Sequence, residues 1–261
     1  MKIFYFAIAV LLLSCSVSKK NMSTKFAANP VVAHRGAFKK NNLPENSIAS
    51  LKEAIRLRCT GSEFDVRMTS DDSLVINHDP KHHDMQIEKT TYAELIKVKL
   101  SNGEKLPTLR ELMIAGLENN KTTRLVVEIK PSDVSKERAK AIAQKTVELI
   151  RELRAEPMVA YISFDYDILK KVQELDPQAS TQYLNGDYTP EQLKEGGISG
   201  LDYNISVFRK NPDWIARAQK ANLILNAWTV NSEADMKWLL ENKFQFITTN
   251  EPELLLSMTA R

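Results

Sequence analysis

The sequence predicts a (β/α)8 TIM barrel with a small insertion after the third strand, and three observations predict it. Short apolar stretches alternate with amphipathic ones to the end of the chain, the pattern of a parallel sheet covered by helices. The 261 residues suit one large barrel. Polar residues that can do chemistry fall at the ends of the apolar stretches, where such barrels keep their sites. A doubly wound open sheet is the alternative architecture.

The strand candidates, in order, are "VVAH", "SEFDV", "SLVINH", "RLVVEIK", "VAYISF", "STQYL", "SGLDY", "LILNAW" and "FQFITT". That is one more than a barrel needs. The surplus disappears if "SEFDVRMTSDDSLVINH" is a hairpin, because "SDDS" leaves no room for a helix. Two helices are clearest. Over 46–57, Ile48, Leu51 and Ile55 share a face after a cap at Asn46 or Ser47. Over 135–154, Ala139, Ile142, Ala143, Val147, Ile150 and Leu153 form a stripe at helical spacing. "TPEQLKEGG" and "SEADMKWLLENK" start with recognisable caps, and the latter leads into a last helix, strand and helix that close the barrel. Residues 79–122 hold no clear strand and read as an insertion.

The N-terminus, "MKIFYFAIAVLLLSC", has a basic residue, an apolar run and a small residue before Cys15. The run is shorter than the ~20 residues of a spanning helix, so a signal peptide over 1–14 is expected. "LLSC" also resembles a bacterial lipobox. Residues 15–29 would then be a lipidated N-terminus and polar tether, with the barrel domain over 30–261. The expectation is an exported, membrane-anchored lipoprotein, periplasmic or at the cell surface. Cys59 would have no disulfide partner. The net charge of +3 vanishes without Lys2, Lys19 and Lys20, since the 36 basic residues then fall to 33, equal to the 33 acids. Nothing suggests a nucleic-acid partner. The oligomeric state is open.

Four polar groups end strands: His34-Arg35-Gly36, the pair Glu63 and Asp65, His78-Asp79, and the pair Glu128 and Lys130. Spacing of two puts each pair on one face of its strand. Glu128 follows Leu125, Val126 and Val127, where an unpaired carboxylate costs several kcal/mol. Three carboxylates converging there need protons or a cation, and three oxygen ligands without cysteine suit Mg²⁺ or Ca²⁺. His34 and His78 each end an apolar strand and suit an acid–base pair. A rival zinc reading joins His78 to His82 and His83, but Pro80 prevents a helical pairing and no clean fourth ligand follows.

The ordered series "AHRG", "PEN", "EFDV", "HDP", "GEKLPTLRELM", "EIK", "SF" and "AWTVN" resembles that of the glycerophosphodiester phosphodiesterase family, from about Val31 to the C-terminus. The resemblance implies a (β/α)8 barrel with an insertion after the "HD" histidine. It implies hydrolysis of small glycerophosphodiesters to sn-glycerol 3-phosphate and an alcohol, with one divalent cation. Carried over by motif, His34 and His78 resemble the acid/base pair, and Glu63, Asp65 and Glu128 the metal ligands. Arg35 and Lys130 resemble the phosphate-binding cations, and Trp228 the aromatic that lines the glycerol pocket. The chain departs from the family at Ser47, where threonine is usual, at Asp71-Asp72, where "DG" is usual, and in "PKHHDMQIEKTT" after the "HD" motif. These departures spare the histidine and carboxylate positions and fall toward the head-group side. Two other readings share the motif: a cyclising phospholipase-type lyase, and a lipoprotein that only binds phosphorylated ligands.

Overall fold

The computed structural model describes residues 25–259. The leader, Cys15 and most of the tether lie outside the described residues. No helix among the described residues is long and apolar enough to cross a membrane.

The apolar stretches form strands β1 (Val31–Ala33), β2 (Gly61–Met68), β3 (Leu74–Ile76), β4 (Lys81–His82), β5 (Met85–Gln86), β6 (Arg124–Ile129), β7 (Val159–Ser163), β8 (Thr181–Tyr183), β9 (Gly200–Asn204), β10 (Ile224–Trp228) and β11 (Phe246–Thr249). Eight of them, β1, β2 and β6 to β11, run parallel in chain order, and β1 pairs with both β2 and β11. That double pairing closes the barrel and excludes the open sheet. The expected hairpin is present: β3 runs antiparallel to β2, with Val66 opposite Ile76.

The helices are α1 (Ile48–Arg56), α2 (Tyr92–Leu95), α3 (Leu109–Leu117), α4 (Lys136–Glu152), α5 (Tyr166–Leu175), α6 (Pro190–Glu195), α7 (Ile205–Lys210), α8 (Asp213–Lys220), α9 (Glu233–Glu241) and α10 (Pro252–Thr259). Ser47, not Asn46, caps α1, and its hydroxyl accepts from the Ser50 N–H. Thr189 and Gln192 form a capping box at α6, and Ser232 caps α9.

The stretch over 79–122 differs from expectation. It contains the two-residue strands β4 and β5, too short to leave a periodic signal, and a 3₁₀ turn at Ile87–Lys89. Its last part is α3, a barrel helix with Leu109, Leu112, Met113 and Gly116 buried, which packs against α1 and α4. The insertion therefore ends before Leu109. Glu88 fastens it to the barrel: its carboxylate accepts from the Ser132 hydroxyl, the Asp133 N–H and Arg138 Nε. Arg138 in turn donates to the Thr69 carbonyl in the β2–β3 turn.

Two apolar clusters fill the space between barrel and helices, and a third, Val32, Val126, Ile162 and Leu184, plugs the barrel itself. The period of two sends Gly61, Glu63 and Asp65 inward on β2, and Val126 and Glu128 inward on β6. A Cβ on Gly61 would stand 3.2 Å from the methyl groups of both Val32 and Val126, so the plug needs a glycine there.

Candidate active site

His34 and Arg35 follow β1 directly. Arg35 takes a left-handed backbone (φ 54°) and Gly36 another (φ 81°), turning the chain sharply off the strand. A Cβ on Gly36 would lie 2.4 Å from the Ser50 hydroxyl oxygen and 2.6 Å from that residue's carbonyl carbon. Only glycine lets the turn rest on the first turn of α1. The turn aims the Arg35 N–H at Glu63, whose Oε2 accepts it at 2.8 Å.

Glu63, Asp65 and Glu128 meet in the mouth, all almost fully buried. One oxygen of each lies within 4.8 Å of the others. Lys130 Nζ stands between two of them, 2.8 Å from Asp65 Oδ1 and 2.5 Å from Glu128 Oε1. It sits off their hydrogen-bonding directions, so both oxygens, and Glu63 Oε1, lack a directional donor among the described residues. Asp65 is anchored elsewhere. Its Oδ2 accepts from the Asn46 amide at 2.7 Å, its N–H donates to Asn46 Oδ1, and Arg35 Nε lies 3.7 Å away.

These surroundings separate the three acids. Burial pushes the Asp65 carboxyl up, but Lys130, then His78 and Asn46, outweigh it and hold it at about 2. Burial, then Asp65, pushes Glu128 up to about 7. Burial, with Asp65 and Glu128 beside it, pushes Glu63 well above the usual carboxylate range. One lysine cannot neutralise three acids. The unmet oxygens and the all-oxygen donor set fit a divalent hard cation.

The histidines flank this centre. His34 Nδ1 pairs with Asn250 Oδ1 at 2.7 Å, which assigns Nδ1–H as donor and leaves Nε2 as the lone-pair nitrogen, 4.0 Å from Glu63 Oε2. Burial, reinforced by the Arg35 charge, lowers the imidazole to about 4, so it is neutral at pH 7. His78 Nδ1 pairs with Asp79 Oδ1 at 2.8 Å. Arg67 holds the same loop: its Nε and Nη2 donate to the His78 carbonyl at 2.9 and 2.7 Å.

Arg35 Nη1 donates to both Glu45 oxygens, so Glu45 braces the guanidinium. Trp228 and Phe164 meet edge to face, 5.4 Å between ring centres, on the opposite wall. His34, Arg35, Glu63, His78, Glu128, Lys130 and Trp228 all line one cavity with about 430 Å³ of empty space, mouth included. Asp65 lies behind it on Lys130 and Asn46. His82 goes elsewhere. It is buried in the insertion with Nε2 3.2 Å from the Val98 carbonyl, which leaves it a structural residue.

Sequence reasoning missed Asn46, Arg67, Asp202 and Asn250. The final "TTN" carried the one available hint, a polar end on an apolar strand like "VVAH". Asn231 of "AWTVN" accepts from the Thr249 hydroxyl and the Asn250 N–H, and so fixes the loop that orients His34.

A closed barrel whose mouth brings together two histidines, a carboxylate triad and two basic side chains defines a barrel hydrolase. The model of the glycerophosphoryl diester phosphodiesterase family matches residues 34–254, and the chain belongs to that family. A glycerophosphodiester phosphodiesterase of Caldanaerobacter subterraneus subsp. tengcongensis is 29% identical over 252 residues, 88% of this chain and 98% of that protein. A crystal structure of a glycerophosphodiester phosphodiesterase from Parabacteroides distasonis superposes with a TM-score of 0.85 at 36% identity, over 89% of this chain and 97% of the other. An Oleispira antarctica phosphodiesterase, solved in complex with its product sn-glycerol-3-phosphate, shares the fold with a TM-score of 0.77 at 23% identity, over 90% and 98%.

Proposed function

We propose that the protein hydrolyses glycerophosphodiesters to glycerol 3-phosphate and an alcohol, with His34 and His78 moving the protons. The observation that carries this reading is the placement of two histidines on one cavity with the carboxylate triad, each held at Nδ1 by an oxygen. Neutral His34 turns a lone pair toward the triad, as a general base must, while His78, held at Nδ1 by Asp79 on the same cavity, is placed to give a proton.

Glu63, Asp65 and Glu128 are the residues that would hold Mg²⁺ or Ca²⁺. When bound, the cation supplies positive charge against the phosphoryl oxygens. Arg35, fixed by Glu45, presents a guanidinium to the same phosphate. Lys130, engaged with Asp65 and Glu128, can contribute to the phosphate once those carboxylates turn to the cation. Trp228 and Phe164 give the three-carbon unit an apolar wall. His34 Nε2 takes the proton of the attacking hydroxyl, and His78 gives one to the departing alkoxide.

Product analysis on glycerophosphocholine, glycerophosphoethanolamine and glycerophosphoglycerol tests the reading. Glycerol 3-phosphate should form in each case, and only with both histidines intact. A cyclic phosphate as the final product would assign the chain to the lyase reading. Tight phosphate binding without turnover would assign it to the binding-protein reading. A substrate lacking the glycerol 2-hydroxyl separates attack by that hydroxyl, which predicts near-total loss of turnover, from direct attack by water. "LLSC" supports an exported lipoprotein anchored at Cys15. Cys15→Ser should then move the protein from the membrane fraction to the soluble one.

A further inference from the structure

The triad is not the whole of the mouth's buried acidity. Asp202, on β9, is 1% exposed and lines the same cavity as His34, Glu63 and Glu128. Its register partner is Asn226 on β10, and Trp228 stands one inward-facing position further toward the mouth. Asp202 therefore lies one layer below the tryptophan, and its own carbonyl accepts the Trp228 indole N–H at 2.9 Å. The Thr248 hydroxyl donates to Asn226 Oδ1 at 3.2 Å. That fixes the amide with its NH₂ turned toward Asp202. Of the Asp202 carboxyl oxygens, Oδ1 is buried and has no hydrogen-bond donor among the described residues.

A buried acceptor without a donor costs ~1–3 kcal/mol, and an apolar side chain would fill this place at no such cost. Asp202 stands outside the triad, the one group of acids among the described residues whose oxygens lie close enough together to share an ion. Nor does Lys130, engaged with Asp65 and Glu128, serve it. The wall between the triad and Asp202 is apolar: Ile162, Phe164, Leu184 and Trp228. A ligand held by its phosphate at the mouth would lay a short carbon chain along that wall and bring its far end to Asp202. The group needed at that end is a hydrogen-bonding one, such as a hydroxyl.

We propose that Asp202 is a specificity-determining residue that accepts a hydrogen bond from the terminal hydroxyl of the glycerol unit, the one farthest from phosphorus. The proposal rests on the functional reading above. It gives the glycerol pocket a polar floor to go with its aromatic wall. A diester whose three-carbon unit ends in a methyl group would leave Oδ1 unmet and be rejected.

The test pairs two enzymes with two substrates. Wild-type protein and Asp202→Ala are assayed on glycerophosphoethanolamine and on the analogue whose glycerol is replaced by 1,2-propanediol, phosphorylated at its primary carbon. Wild type should prefer the glycerol substrate by ~10- to 10²-fold in kcat/KM. Asp202→Ala should bring that ratio close to one, mainly through the glycerol substrate. Asp202→Leu keeps the approximate volume, removes the acceptor and supplies a folded variant if alanine does not fold, and its ratio should also fall. Equal losses on both substrates, with the wild-type ratio preserved, would overturn the proposal. So would a loss of cation affinity by calorimetry in step with activity, since Asp202 would then be a metal ligand. If no diester is turned over by any of these proteins, the functional reading fails. The proposal is then judged by calorimetric binding of sn-glycerol 3-phosphate against 1,2-propanediol 1-phosphate, where the same ratios are expected.

Discussion

The two sides of the barrel mouth are built on opposite principles. On the β1, β2 and β6 side, charged groups crowd together and brace one another: Arg35 with Glu45, Asp65 with Asn46 and Lys130, His34 with Asn250. On the β7 to β10 side the wall is largely apolar, Ile162, Phe164, Leu184 and Trp228, with Asp202 as its acid. The first side offers carboxylates that could hold a cation and, on the proposed reading, imidazoles to move protons. The second can only fit a shape and read a single hydroxyl. Chemistry and recognition are thus separated across a barrel axis, and damage to one should leave the other measurable.

Removing the cation should break the charged side most completely. Chelation should lower turnover by ~10³-fold or more, because charge stabilisation at phosphorus is worth several kcal/mol at ~1.4 kcal/mol per decade. Added Mg²⁺ or Ca²⁺ should restore it. Full activity in a sample shown metal-free by elemental analysis would refute the cation model.

Next in size are the histidines. His34→Ala and His78→Ala should each lower kcat by ~10²- to 10⁴-fold. His82→Ala should leave kcat nearly unchanged and cost only stability, ~1 kcal/mol for its bond to Val98. Equal catalytic damage from His82 and His78 would reopen the zinc reading. Asn250→Ala should fall between these extremes. It removes the acceptor that sets the His34 tautomer and should lower kcat with little effect on KM.

The comparison also explains what could be read in advance. Glu63 with Asp65 and Glu128 with Lys130 announced themselves because charges at a spacing of two within apolar strands are costly unless used. The eight barrel strands and the β2–β3 hairpin were legible from apolar runs and turn residues for a similar reason. β4 and β5 were not, since two residues carry no period, and α3 was hidden by its place after an insertion. Asp202 escaped because "SGLDY" contains one ordinary acid, and a strand-end acid is more often solvated. Its burial comes from seven other strands far away in sequence. Asn250 and Asn46 escaped because an asparagine is equally at home in a turn.

A smaller effect concerns pH. Glu128 titrates at about 7 in the metal-free fold and ~4.3 in an unfolded chain. Between those values the folded state holds the extra proton, so metal-free stability should fall as pH rises through this window. Cation binding requires the deprotonated carboxylates, and Glu63 is pushed up as well, so affinity should rise with pH through neutrality, with proton release on binding. Thermal melts with and without Mg²⁺ at pH 5 and pH 8 would measure this, and the metal-dependent gain in Tm should be larger at pH 8. The smallest effect expected is at Cys59, fully buried with its thiol pushed up to about 12 by burial. It should resist thiol reagents in the native protein and react at once in denaturant.

The Lys130 ammonium has a further consequence, for the order in which the protein is made. Lodged between Asp65 and Glu128, its single positive charge is shared by two of the three acids that the closing barrel brings together. The chain therefore carries its own provisional counter-ion. It should then complete its fold where divalent ions are scarce, unlike small domains that are unfolded until metal arrives. Lys130→Met would remove that independence, and refolding yield should then depend on the divalent ion in the buffer.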